Sequence, residues 1–327
     1  MWNKRKARSN NEEERLLAFA KKVMWEPIKD KCTIFSNDNS RKFGFEEIFQ
    51  KGVKEIFYYL SFREKVELFP FFLSNVIQIR KSTKGLEKDP ERNLIESEEL
   101  KEIEEYARKL GVSSLGYCKV DRDDIFEGFG IIYDHAIVFN AEMDKEKISK
   151  APSFPTLKMI YKTYAATGVI ANKLAKRLRK MGFGAHAGPG LGGLTIYPVL
   201  AERAGIGTFG RHGLIITPEN GPRHRLGVVY TNITNLPKTK REDFSWVKEF
   251  YMKCSICIRT CPAQAIYEQP IATKGKYITY IDNVKCGDFF AKNYACGICI
   301  KVCPFNSVGY ETIKRSMIKA KNNGKHR

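Results

Sequence analysis

The sequence lacks any apolar run long enough to cross a bilayer. Its most apolar early segment, residues 66–79, is short for that purpose and carries Glu67 and Pro70, so no membrane span is expected. Acid is scarce, with 37 Asp and Glu against 56 Lys and Arg and a net charge of +19. Such a balance suits an acidic partner such as RNA, an acidic redox protein or an anionic substrate. It suits a solvated, lysine-rich surface equally well, because net charge governs association rather than fold. No apolar stretch follows the opening MWNKRKARSNNEEER. No signal peptide or twin-arginine leader is therefore expected, and the expected location is cytoplasmic.

Cysteine, by contrast, is plentiful and concentrated. Seven of the nine cysteines fall between Cys254 and Cys303, spaced Cys254-x2-Cys257-x3-Cys261-Pro262 and Cys286-x9-Cys296-x2-Cys299-x3-Cys303-Pro304. Pairs separated by two residues in a basic, mid-sized chain point to metal binding in a reducing compartment rather than to disulfides. Zinc sites also use such pairs. The proline after the last cysteine of each run and the ferredoxin-like order of spacings favour two iron–sulfur clusters, in which the last cysteine of each run serves the other cluster. One cluster then receives Cys261, Cys286, Cys296 and Cys299, a full 4Fe–4S set. The other receives only Cys254, Cys257 and Cys303, because Tyr251 stands where a full run has its first cysteine. That second site is expected to hold a three-iron cluster, or a four-iron cluster with a non-cysteine ligand, an open iron, or a thiolate recruited from Cys32 or Cys118.

The rest of the chain reads as units leading to this stretch. Residues 1–92 are expected to form a helical N-terminal extension, with Phe45, Ile48, Phe49, Val53, Ile56, Phe57 and Leu60 at helical spacing and a charged linker over 81–92. Residues 93–240 alternate helix and strand signals: a helix over 96–111 closed by Gly111, strands over 112–120 and 131–139, a long helix over 156–181, a glycine-dense loop over 182–193, a short helix over 198–204, and strands over 213–217 and 226–231. The iron–sulfur unit is placed at 241–310 and a basic tail at 311–327. Cys32 is isolated and expected to be structural.

Several residues outside the cysteine array could carry chemistry. Gly205-Ile206-Gly207-Thr208-Phe209-Gly210 matches G-x-G-x-x-G, but it follows a helix and precedes a strand, the reverse of a dinucleotide site. Close backbone approach to a flat ligand remains its functional reading, with Gly205, Gly207, Gly210, Arg211, His212 and Gly213 as candidate contacts. His186, His212 and His224 sit in or beside the glycine-rich loops and are expected at the surface or in hydrogen bonds. Arg211, Arg223 and Arg225 form a basic group able to grip an anion. Tyr161 and Tyr164 lie on the long helix, as core residues or as a proton donor.

From about residue 98 to residue 306 the chain resembles the epoxyqueuosine reductase and reductive dehalogenase superfamily. The resemblance is carried by YPVLAERAGIGTFGRHGLIITPENGPRHRLGVVYTN (197–232) and by the cysteine array ending KVCPFN. It implies a mixed α/β, nitroreductase-like domain that binds cobalamin without a protein histidine on cobalt, followed by a ferredoxin-like dicluster domain. It implies Tyr164, or else Tyr161, as the acid and Arg223 as the companion cation. The x9 gap resembles the dehalogenase branch and AERAGIG the epoxyqueuosine branch. The latter carries an aspartate on the long helix, whereas residues 160–171 contain no acid.

Three functions follow as expectations. The first is a corrinoid-dependent reductase of a small molecule, fed by a low-potential donor such as a ferredoxin or flavodoxin. The second is an electron-transfer protein without its own substrate. The third is a tRNA-modifying reductase.

Overall fold

In the computed structural model of the chain, residues 21–41, 56–238, 242–273 and 275–324 are described. Phe45, Ile48, Phe49 and Val53 lie outside them. Ile56 and Leu60 are described and buried.

The N-terminal stretch contributes a short strand, β1 (Ile34–Phe35), and a long helix, α1 (Phe62–Ser82). Ser61 starts α1: its hydroxyl accepts the Glu64 backbone N–H at 3.3 Å, and the Glu64 carboxylate accepts the Ser61 N–H at 2.8 Å. Helix α2 (Ser97–Lys109) buries Ile103 and Ala107 on one face and ends at Gly111, whose φ of +94° only glycine adopts cheaply. There follow β2 (Val112–Lys119), β3 (Gly130–Ile131), β4 (His135–Glu142), α3 (Lys145–Ser149), α4 (Phe154–Lys180), β5 (Ala185–Ala187), α5 (Tyr197–Arg203), β6 (Thr208–Phe209), β7 (Ile215–Ile216) and β8 (His224–Thr231).

The central sheet has the order β2-β4-β8-β5 and is antiparallel throughout. Alternation along β4 sorts its two faces. Ile137 and Phe139 pack under Ile170, Ala171, Leu174 and Leu178 of α4, while Ala136 and Val138 pack with Leu200 and Ala201 of α5. Gly227 on β8 is required by this packing, since a Cβ there would stand 2.2 Å from Phe139 Cζ.

The stretch expected as one strand over 131–139 is two. Its first residues pair with β1 instead, Ile34 opposite Ile131, and a turn precedes β4. A partner about a hundred residues away decides this, and local pattern does not reveal it. Met24, Ile28 and Cys32 share one core with Val120, Ile125 and Val228, so the N-terminal stretch is built into the α/β body. Cys32 is buried, its thiol donates to the Ile28 carbonyl at 3.3 Å, and burial pushes that thiol up to about 12.

The cysteine-rich part comprises α6 (Ser245–Cys254), α7 (Ile256–Arg259), β9 (Ile266–Ala272) paired antiparallel with β10 (Ile278–Ile281), α8 (Asn283–Lys292), α9 (Ile298–Lys301) and the closing helix α10 (Tyr310–Gly324). It packs on the α/β body through two cores. Ala291, Ala295 and Ile300 join Met143, Ile148, Leu157 and Tyr161, and Cys303 and Phe305 join Ile216 and Trp246. No helix among the described residues is long and apolar enough to cross a membrane.

Candidate iron–sulfur and reductase site

The seven cysteines of the array sit in short helices and turns whose backbone is bent to present them. Ser255, between α6 and α7, has φ +51°, and Tyr294, Ala295 and Cys296 all have positive φ ahead of α9. Non-glycine residues adopt this region at a cost, and a run of three marks a loop held in shape by what it surrounds.

The thiols sort into two groups by which of them feel one another. Burial, and then the thiols of Cys296 and Cys261, push Cys286 up to about 11. Cys299 is partly buried and is raised further, by desolvation first and then by Cys286, Cys296, Cys257 and Cys261. On the other side, burial with Cys254 pushes Cys257 up to about 11, and burial with Cys257 and Cys254 pushes Cys303 up to about 12. Cys286, Cys296 and Cys299 are thus each influenced by Cys261; Cys257 and Cys303 are influenced by Cys254, and Cys299 by Cys257 as well. Among the described residues no three His, Cys, Asp or Glu gather about a single metal ion. An iron–sulfur cube asks for less convergence than zinc does, because each thiolate holds a different iron.

The three-thiol group borders a cavity lined also by Arg211, His212, Tyr251 and Phe305. Tyr251 does not take a cysteine's role in any visible way. It is buried, and its hydroxyl lies 3.3 Å from that of Tyr280. Neither Cys32 nor Cys118 lines the cavity.

The glycine-rich segment ahead of the array closes on the chain itself. A Cβ on Gly207 would meet the Ile216 carbonyl oxygen at 2.5 Å, and one on Gly210 would meet His212 Cε1 at 2.8 Å. Gly205 and Gly213 have φ of +73° and +72°, so turns account for them. Arg211 donates toward the Met252 sulfur at 2.9 Å and lies 5.9 Å from the centre of the Tyr280 ring.

The three histidines, expected at the surface or in hydrogen bonds, are all buried, and His212 and His224 make hydrogen bonds to the backbone. Burial lowers His186 and His212 to about 4 and His224, with help from Arg225, to about 3. They are neutral at pH 7. His224 Nδ1 lies 3.1 Å from the Gly221 carbonyl, and His186 stacks on Tyr230.

The arginines separate. Arg223 donates from Nε to Asn306 Oδ1 at 2.9 Å and from its terminal nitrogen to the Met143 carbonyl at 2.6 Å, and pairs with Glu142. It ties the sheet to the cysteine-rich part. Arg225 instead lies over the Tyr164 ring, 4.5 Å from its centre. Tyr164 is half-buried, whereas Tyr161 is buried in the core and its hydroxyl is raised by burial and then by Tyr164. The pairing of Tyr164 with Arg225 rather than Arg223 had no sequence signal beyond the presence of both arginines.

A family model described as a 4Fe–4S dicluster domain matches residues 252–307. A tetrachloroethene reductive dehalogenase of Desulfitobacterium hafniense is 35% identical over 212 residues, 61% of this chain and 37% of that protein. An epoxyqueuosine reductase of Listeria monocytogenes is 32% identical over 116 residues, 33% of this chain and 28% of that protein. The chain is homologous to the reductive dehalogenases and the epoxyqueuosine reductases. It spans little more than a third of the length of the dehalogenase. A solved catabolic reductive dehalogenase superposes with a TM-score of 0.61 at 20% identity, covering 85% of this chain and 42% of that one. The mixed α/β fold with its C-terminal dicluster domain is therefore that of the solved reductive dehalogenase.

Proposed function

We propose that this chain is an iron–sulfur reductase of the reductive dehalogenase type, acting on a small molecule with a corrinoid as its reaction centre. The observation that carries the reading is the union of a dicluster domain with an α/β body that presents Tyr164 and Arg225 as a buried-edge pair. A free-standing electron carrier has no need of that body, which counts against the electron-transfer reading.

The residues present fit the two groups the reading requires. Seven thiols, in a set of four and a set of three, would hold the clusters, the second as a three-iron or four-iron cluster. A corrinoid carries neutral amide arms around a flat ring. Buried donors without protein partners, Arg225 Nε and Asn220 Nδ2, suit such amides, and Tyr164 would border the ring. The glycines of 205–213 serve chain closure, so the backbone around Arg211 and Gly213 contributes shape only. When bound, the clusters supply single electrons and the corrinoid supplies a low-potential centre for reductive bond cleavage.

The protein's own contribution is proton and charge management. Tyr164 Oη holds the proton to be delivered to the substrate carbon. Arg225, over the Tyr164 ring, offsets the negative charge left on the phenolate. Arg223 stands at the joint between sheet and dicluster and serves position rather than proton transfer. Tyr161, enclosed in the core, holds its proton too tightly to take the acid's place.

The missing acid on residues 160–171 disfavours the epoxyqueuosine activity, although the +19 charge keeps tRNA as the competing substrate. A low-potential ferredoxin or flavodoxin in a reducing, cytoplasmic setting is the proposed donor. Anaerobic purification from a host that supplies corrinoid, with iron, sulfide and cobalt counted per chain, tests the proposal. About seven or eight irons and one cobalt are expected. Full clusters with no cobalt would overturn it.

A further inference from the structure

His212 is buried beside the three-cysteine site with one ring nitrogen unused. Its Nδ1 accepts the Leu214 backbone N–H at 3.2 Å. A neutral imidazole with an acceptor at Nδ1 carries its proton on Nε2. His212 Nε2 has no hydrogen-bond partner, and the residue is 2% exposed. An orphaned buried donor of this kind is costly unless something accepts from it. The ring borders the same cavity as Cys254, Cys257, Cys303 and Tyr251. Gly210 leaves space for it, since a Cβ there would stand 2.8 Å from His212 Cε1. Arg211 Nε, also buried and without a partner, lines that cavity too.

We infer that His212 donates its Nε2–H to the three-cysteine cluster, next to the corner that Tyr251 leaves without a thiolate, and thereby raises that cluster's reduction potential. The alternative role, a nitrogen ligand replacing the missing cysteine, requires a bare Nε2. That would put a proton on Nδ1, against the Leu214 N–H. Tyr251, engaged with Tyr280, does not fill the corner either. Hydrogen bonds to cluster sulfur stabilise the more negative, reduced cluster, so a donor moves the potential upward. The cluster with fewer thiolates, already carrying less negative charge, would be the easier of the two to reduce.

The inference rests on the dicluster reading, and the test separates the two. The anaerobically purified chain is labelled with ¹⁵N-histidine and its reduced or three-iron signal examined by electron–nuclear double resonance in H₂O and D₂O. A weakly coupled histidine nitrogen and an exchangeable proton are expected. His212→Leu should retain the wild-type iron and sulfide content, lose the exchangeable proton, and shift that cluster's midpoint potential downward. His212→Asn, which keeps a donor, should recover part of the shift. A strongly coupled nitrogen, of directly ligating size, would overturn the donor role, as would an unchanged potential and proton spectrum in His212→Leu. The measurement on labelled wild-type protein decides the matter even if His212→Leu fails to assemble. Absence of iron from the wild-type chain would sink both the inference and the dicluster reading.

Discussion

The guanidinium of Arg225 lies over the ring of Tyr164, 4.5 Å from its centre. The two residues come from different layers, β8 and α4, so the contact depends on the helix keeping its position across the sheet. If Tyr164 is the acid, Tyr164→Phe should lower single-turnover reduction by about 10²–10⁴-fold with iron content unchanged. Tyr161→Phe should alter it little. Arg225→Met should slow turnover while Arg223→Met should act first on stability. Rapid-quench kinetics on the loaded enzyme compares the four variants.

Arg223 joins the sheet to the dicluster through Asn306. Removing either partner leaves buried polar atoms unsatisfied. Asn306→Ala is expected to destabilise the chain by about 1–3 kcal/mol, read as a lower denaturant midpoint at constant slope. An unchanged midpoint would show that the tie contributes nothing.

Tyr251→Cys restores the run to its full complement. Where the native chain holds a three-iron cluster, the variant should bind about eight irons rather than about seven, and the three-iron resonance should vanish. Metal analysis alongside paramagnetic resonance checks this. Retention of the three-iron signal would mean that position 251 does not face the cluster.

Burial keeps His186 and His224 neutral, at about 4 and about 3 against an ordinary 6.5. The unfolded chain takes up protons below pH 6.5 and the folded chain does not. Stability should therefore be full above about pH 6.5 and fall as pH drops toward 4 and then 3, by up to about 2.7 kcal/mol per pH unit for two protons. Unfolding titrations from pH 7.5 to pH 5 should show the decline, and His186→Gln should make it shallower.

The dicluster stretch was legible in the sequence because its signal is local: cysteines two and three residues apart recur within it, and a 4Fe–4S dicluster model matches the same residues. The long helix and the β2-β4-β8 strands were legible for the same reason, since period and caps lie within each segment. What the sequence hid was set by distance along the chain. The pairing of Ile34 with Ile131 split an expected strand. The choice between Arg223 and Arg225 turned on partners far along the chain, Asn306 and Met143 for Arg223 and Tyr164 for Arg225. His186 and His224 are buried because they pair in the central sheet, on β5 and β8, and that pairing is also decided by distant residues. The glycines of 205–213 read as ligand contacts, yet Gly207 and Gly210 face Ile216 and His212.

Cys303, Phe305 and Asn306 lie within four residues of one another, and each faces a different neighbour. Cys303 belongs to the three-thiol site, Phe305 closes on Gly221, where a Cβ would stand 2.5 Å from its carbonyl oxygen, and Asn306 holds Arg223. On the proposed ligand assignment, the segment that completes the three-cysteine cluster also joins the two halves. Damage to that cluster by oxygen would loosen the seam as well as interrupt the electron supply, so inactivation in air should be accompanied by easier proteolysis between the halves.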